Sequence, residues 1–181
     1  MHLLLEQRCW LSARPETLHF APERCLSLPL RRALGDRYTT IDLERDDVDL
    51  RANIAALPFD AGNFELIICN HVLEHVLDEA GALAELRRTI SPAGRAVIMV
   101  PQEPWRRVTH EDPAIMGTAD RERQFGQHDH VRAYGDDIAE RLEAAGFAVE
   151  VVQVEQIADR RTVERLGLLP AERIYICRSA N

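Results

Sequence analysis

Residues 64–100 read FELIICNHVLEHVLDEAGALAELRRTISPAGRAVIMV, and their pattern decides the fold. FELIIC (64–69) is a short, unbroken apolar run, the signature of a parallel strand covered on both faces. It is expected at the centre of a sheet. After it Val72, Leu73, Val76, Leu77, Ala80, Leu83, Ala84 and Ile90 recur at steps of three and four, predicting a helical region with one apolar face. The turn SPAG (91–94) closes that region, RAVIMV (95–100) is the next apolar strand, and Pro101 stops it.

Working outward toward the N-terminus, TLHF (17–20) reads as a buried strand, with a break at Ala21 and Pro22 and a helix-compatible stretch from Glu23. RYTTIDL (37–43) is a second strand ending in Asp42, and VDLRANI (48–54) a third, short one, with little room for a helix between them. A leading helix occupies 1–14, with Leu3, Leu4, Trp10 and Leu11 on its apolar face, and Pro15 closes it. In the other direction, 101–133 is polar and without period, a length of irregular chain that is usually functional or mobile. A helix carrying Ile138, Leu142 and Ala145 stops at Gly146, then come the strand FAVEVVQV, a loop, and the strand RIYICR. Strands alternating with helices predict one α/β domain over 1–181, with a doubly wound, mainly parallel, Rossmann-like sheet abbreviated between its second and third strands.

The composition narrows the chemistry. All 22 basic residues are Arg, so a Schiff-base Lys, a phosphate-gripping Walker Lys and a Lys nucleophile are excluded. A formal net charge of −8 disfavours a protein built to coat nucleic acid. Cys9, Cys25, Cys69 and Cys177 form no C-x-x-C pair, which suggests neither zinc nor a disulfide framework and points to a reducing, cytoplasmic setting. The first residues carry Glu6 and Arg8 beside a short apolar run, so neither a signal peptide nor a membrane span is expected there.

In a doubly wound sheet, ligands sit outside the carboxyl ends of the strands. The block LPFDAGNFELIICNHVLEHVLDEAGALAELRRTISPAGRAVIMVP (57–101) resembles the class I, seven-stranded methyltransferases that use S-adenosylmethionine. FGQHDHVRAYGDDIAERLEAAGF (125–147) resembles the later region of a small-molecule branch of that family. The resemblance implies S-adenosylmethionine as cofactor, a small-molecule acceptor, no nucleic-acid or membrane partner, and a homodimer as a candidate assembly.

The family's glycine-rich turn, of the type E/D-x-G-x-G, is here HFAPE, comprising His19, Phe20, Ala21, Pro22 and Glu23. Ala21 is small enough for close approach, whereas Pro22 brings no N–H. The Glu23 carboxylate is expected to face the ammonium or sulfonium charge, unless it serves only to start a helix. Asp42, roughly 20 residues further on, has the spacing of a ribose-diol acceptor. Asn53 stands where relatives usually carry Asp; its amide oxygen would accept from the adenine amino group, unless Asn53 is only a turn residue, and Ile54 would contact the ring. The resemblance places Asn70 and His71 at the methionine end and the transferable methyl.

His128 and His130 flank Asp129, and an extended strand would set both imidazoles on one face. Even with His110, Glu111 and Asp112 the spacing matches no metal motif, so no metal is predicted, and His75 is read as a packed or capping residue. The resemblance assigns this segment, with Arg132 and Tyr134, to the substrate side; Trp105 is read as packing. Methyl transfer is an in-line displacement over about 3 to 3.5 Å, for which His130, His128 and His71 are candidate bases or positioning groups. The alternative is a non-catalytic binding or partner subunit of the same fold, motivated by the altered turn.

Overall fold

Every residue of the strand β4 (Phe64–Asn70) except Glu65 is buried. The structure, a computed structural model, describes residues 1–103, 105–169 and 172–180. It surrounds β4 with β1 (Thr17–Phe20), β2 (Tyr38–Asp42), β3 (Leu50–Arg51), β5 (Ile90–Met99), β8 (Phe147–Gln153) and β9 (Arg173–Ser179). The seven strands lie in the order β3-β2-β1-β4-β5-β9-β8. β1 to β5 pair in parallel, while β9 runs antiparallel to both neighbours. A separate two-stranded ribbon joins β6 (His110–Glu111) to β7 (Arg132–Ala133).

The period of two along β4 explains why both faces need helices. Ile67 and Cys69 point into one apolar layer, with Leu83 and Leu86 of α3 (Glu79–Thr89) and Ile138 and Leu142 of α5 (Ile138–Ala144). Leu66 and Ile68 point into the other, with Leu4 and Leu5 of α1 (His2–Gln7) and Leu26, Leu30 and Leu34 of α2 (Arg24–Leu34). Each such fully buried aliphatic side chain contributes about 1.5–3 kcal/mol. The strand order reverses between β1 and β4, so a crevice opens at their carboxyl ends. Residues 43–49 carry no helix, as their length predicts.

Four expectations are corrected. The helical region predicted after β4 is broken: a 3-10 turn covers Leu73–His75, and α3 starts only after Asp78, whose carboxylate accepts the Gly81 N–H at 2.9 Å. That cap overrides the apolar spacing upstream of it and leaves Leu77 exposed. SPAG lies within β5 instead of ending a helix. Phe64 pairs with Ile90 and Leu66 with Arg95, so the additional residues are taken up as a bulge. The stretch 101–133 contains the ribbon strands β6 and β7 and the helix α4 (Thr118–Phe125). The expected loop between the last two strands holds two short helices, α6 (Val154–Ile157) and α7 (Arg160–Leu166), the second capped by Asp159 on the Thr162 N–H.

The leading segment is α1 followed by a 3-10 turn at Trp10–Ala13, separated by Cys9 in a left-handed conformation. All four cysteines are free thiols. No helix among the described residues is long and apolar enough to cross a membrane.

Candidate active site

The end of β1 is followed by Ala21 at φ 44°, and the end of β4 by His71 at φ 50°. Both are left-handed conformations that a side chain disfavours and that glycine adopts without cost. Ala21 therefore keeps the backbone path of a glycine turn without the glycine. Its N–H donates to Ile41 O at 2.8 Å, and the Arg45 guanidinium donates to Pro22 O at 2.9 Å, so the turn is held from the β2 side.

Between these strand ends lies an open cleft of about 600 Å³. Phe20 and Ala21 enter it from β1, Ile41 and Asp42 from β2, Asn53 and Ile54 from the chain after β3, and His71, Val72, His75, Val76 and Leu77 from the chain after β4. Its walls are mostly apolar, while Asp42, Glu44, Asp78 and Asp129 place carboxylates around it. A pocket of that size and lining suits a small molecule, and the carboxylates favour one carrying positive charge.

The Asp42 carboxylate is fixed by its own loop, with Oδ1 accepting the N–H groups of Glu44 and Arg45 at 2.8 and 3.0 Å. Both of these hydrogen bonds fall on one oxygen, which leaves Oδ2 for a ligand. Asn53 lines the cleft, but its Oδ1 accepts the Ala55 N–H at 2.9 Å, so the oxygen expected to meet an adenine amino group first closes an Asx turn.

Behind the β1 turn a buried polar chain replaces the missing glycines. Tyr38 Oη lies 2.6 Å from His19 Nδ1, His19 Nε2 lies 2.9 Å from Glu23 Oε2, and Asn70 Nδ2 donates to Glu23 Oε1 at 3.1 Å. Burial alone would raise the Glu23 carboxyl, but the hydrogen bonds from His19 and Asn70 outweigh it and hold the group below its ordinary value. His19, Pro22, Glu23 and Asn70 are thus gathered beside the cleft without forming its lining, and both Glu23 oxygens are engaged by the protein. Asn70 Oδ1 is buried and has no partner.

Of the three candidate bases, only His71 lines the cleft. Its Nδ1 is 3.5 Å from Glu74 Oε1, and that carboxylate raises the His71 pKa against the opposing effect of burial. His128 and His130 do not share a strand face, because they sit in and just after a turn: His128 is exposed, and His130 is buried with Nδ1 against Phe125 O at 3.1 Å. Asp129 between them turns into the cleft wall, where its Oδ2 lies 3.3 Å from His75 Nδ1.

Arg132 and Tyr134 also lie outside the lining. Arg132 Nη1 donates to Leu73 O and Val76 O, both at 2.6 Å, and Nε donates to Glu111 at 3.0 Å, while the Tyr134 hydroxyl donates to Glu79 Oε1 at 2.5 Å. Arg132 acts on the cleft indirectly, by clamping the turn that forms one wall. Trp105, expected to pack, is 78% exposed.

A family profile described as a methyltransferase domain matches residues 21–152. That span takes in the β1 turn, the Asp42 strand end and the whole β4 to β8 region. The chain belongs to the methyltransferase-domain family. Its match to an uncharacterized 37.1 kDa protein in transposon TN4556 of Streptomyces fradiae is 37% identical over 79 residues, 44% of this chain and 22% of that protein. The chain thus aligns with about a fifth of the length of this curated relative.

Among solved structures, the 1,6-didemethyltoxoflavin-N1-methyltransferase of Burkholderia thailandensis, with 1,6-didemethyltoxoflavin and S-adenosylhomocysteine bound, superposes at TM-score 0.64 and 14% identity, covering 98% of this chain and 76% of that one. An S-adenosylmethionine-dependent methyltransferase of Mesorhizobium loti superposes at 0.59 and 16% identity over 94% and 96%. At these identities the likeness is one of fold.

Several lining residues, among them Val72, His75, Val76, Leu77 and Asp129, are not among those the sequence assigns to the site. Asp129 lies within the H-D-H tripeptide, where the imidazoles are the more reactive groups. What brings Asp129 to His75 is a long-range bond, the Val131 N–H donating to Glu74 O at 2.8 Å.

Proposed function

We propose that this protein is an S-adenosylmethionine-dependent methyltransferase that moves a methyl group to an oxygen or nitrogen of a small-molecule acceptor. The observation that carries the reading is the open cleft at the ends of β1, β2 and β4, with Asp42 on its wall and no side chain of the described residues plugging it. The residues present fit the cofactor in three respects: a carboxylate oxygen is left for a ribose diol at Asp42, apolar surface for a purine at Ile54 and Leu77, and carboxylates for a cationic sulfur. S-adenosylmethionine supplies an electrophilic methyl on a sulfonium, so that the protein's task is mainly positioning.

Asp42 would hold the sugar, while Val72 and Val76 would exclude water from one side of the reacting centre. His71, in the cleft wall and braced by Glu74, receives the acceptor's proton where the acceptor is protonated. The small-molecule class is supported by the size of the cleft and by the acceptor bound in the Burkholderia neighbour. Four free thiols suit a reducing, cytoplasmic setting.

The test is calorimetric titration of the full chain with S-adenosylhomocysteine, followed by label transfer from S-adenosylmethionine to a panel of small hydroxyl and amine acceptors. Absence of S-adenosylhomocysteine binding to folded protein rejects the reading. One observation favours a second reading, a non-catalytic binding or partner subunit: both Glu23 oxygens are engaged within the protein. Weak or absent S-adenosylhomocysteine binding with no transfer to any acceptor favours it, and measurable turnover on any acceptor disposes of it.

A further inference from the structure

We propose that Glu74, His75 and His130 form a binding site for one divalent transition-metal ion of the zinc class, beside the cleft. One ligand atom from each of the three lies within 4.8 Å of the other two. The sequence pattern predicts no metal here, because the three donors come from two separate segments. The Val131 N–H to Glu74 O bond brings those segments together.

Two features go beyond proximity. Glu74 has a side chain only 1% exposed, yet its Oε2 has no hydrogen-bond partner among the described residues, and its other oxygen has a 3.5 Å contact to His71. A buried carboxylate oxygen left unpaired costs more than the fold gains from its burial, unless a cation or donor meets it. Both imidazoles also have an oxygen at Nδ1, the kind of contact found behind ligating histidines. His75 turns Nδ1 to Asp129 Oδ2 at 3.3 Å, and His130 turns Nδ1 to Phe125 O at 3.1 Å. An oxygen acceptor on Nδ1 fixes the tautomer whose lone pair is on Nε2, the arrangement in which a carboxylate or carbonyl behind a ligating histidine steadies it.

Two imidazoles and one carboxylate make a donor set for zinc or a neighbouring transition ion, and are poorly suited to magnesium or calcium, which favour oxygen. Three protein ligands leave a fourth position open. Ligand atoms around a tetrahedral ion lie about 3.3 Å apart, so separations of up to 4.8 Å must close by up to about 1.5 Å, within the reach of small torsional changes. Of the three ligands only His75 lines the cleft, so the site lies beside it. An acceptor oxygen that reaches the open position from the cleft would have its proton made more acidic by the ion. That use of the ion rests on the methyltransferase reading; the binding of the ion does not.

The experiment titrates chelator-treated full-length protein, without cofactor, with zinc chloride by calorimetry, and repeats it with cobalt chloride while recording visible absorption. The expected result is one ion per chain and cobalt bands of low-coordinate type. Glu74→Gln and His130→Asn each weaken binding by about 100-fold or more, and Asp129→Asn, which removes no ligand but alters the support behind His75, by about 10-fold. His2→Asn, a surface control, leaves binding unchanged. Circular dichroism verifies that each variant folds, and Asp129→Asn keeps the test decisive should a buried substitution fail to fold. Zinc affinity that is absent, or indifferent to Glu74→Gln, His130→Asn and Asp129→Asn, overturns the inference. If zinc fails to bind while S-adenosylhomocysteine binds, only the metal site falls; the reverse result removes the methyltransferase reading and leaves the metal site standing.

Discussion

His19 Nε2 and Glu23 Oε2 meet at 2.9 Å across the turn that follows β1, one member fully buried and the other 40% exposed. The pair closes a turn that glycines usually shape, and it ties the first strand to the start of α2. Because Asn70 holds the other Glu23 oxygen, the same carboxylate also reaches the end of β4.

The Glu23 contacts make stability depend on pH. Burial works against the charged carboxyl, but His19 and Asn70 hold its folded pKa below the ordinary value. A group depressed in this way contributes stability that is fully present above its unfolded pKa and is lost as pH falls through its folded one. Glu23→Gln should therefore be less stable than the wild type at neutral pH, by about 1 kcal/mol once solvent screening of the partly exposed side chain is allowed for. The gap should shrink as pH drops below the normal glutamate range. Urea denaturation of both proteins from roughly pH 7 to pH 3 measures it. A gap that stays constant across the series contradicts the assignment.

Ala21 carries a left-handed backbone at φ 44°. A glycine there relieves strain of about 1 kcal/mol, part of which returns as extra freedom in the unfolded chain. Ala21→Gly is expected to raise the melting temperature by about 1–3 °C and to leave S-adenosylhomocysteine affinity equal or tighter. A lower melting temperature in differential scanning calorimetry would show that the alanine methyl packs usefully.

Asp42 offers one oxygen to its own loop and one to the cleft. Losing a charged acceptor toward a ribose diol costs about 1.5–3 kcal/mol, or about 10- to 100-fold in affinity. Asp42→Ala should show that loss for S-adenosylhomocysteine, while Asp42→Asn, which can still accept the Glu44 and Arg45 N–H groups, separates loop support from ligand contact. Equal affinities in the wild type and both variants, measured by calorimetry, would remove Asp42 from the cofactor side.

The sequence reveals what depends on near neighbours. β1 is found at the residues read from TLHF, and β2 and β4 at those read from the apolar runs around Ile41 and Ile67, because a strand covered on both faces writes its burial into consecutive residues. Phe20, Ala21, Asp42, Asn53, Ile54 and His71 reach the cleft for the same reason: each ends or closely follows a parallel strand. The reading fails where partners are distant. Val72 and Leu73 share their spacing with α3, but Asp78 caps the helix beyond them. The family resemblance assigns Arg132 to the substrate side, yet its carbonyl partners lie in the turn after β4. Nothing local in the sequence encodes that meeting.

Arg132 supplies the most severe prediction. Its side chain is 4% exposed, and its guanidinium joins Leu73 O, Val76 O and the Glu111 carboxylate. Arg132→Met leaves two turn carbonyls without their donor and takes from Glu111 one of the two guanidiniums that pair with it, the other being that of Arg141, at a cost of about 3–5 kcal/mol. A melting temperature lower by roughly 10 °C is expected. Arg132→Lys keeps the charge but replaces a planar fork with a point donor, so it should fall between the two. Because Leu73 to Val76 forms a wall of the cleft, S-adenosylhomocysteine affinity should fall in the same order even at temperatures where all three proteins are folded. An Arg132→Met protein with unaltered stability and affinity would mean that the turn after β4 holds its shape without the clamp.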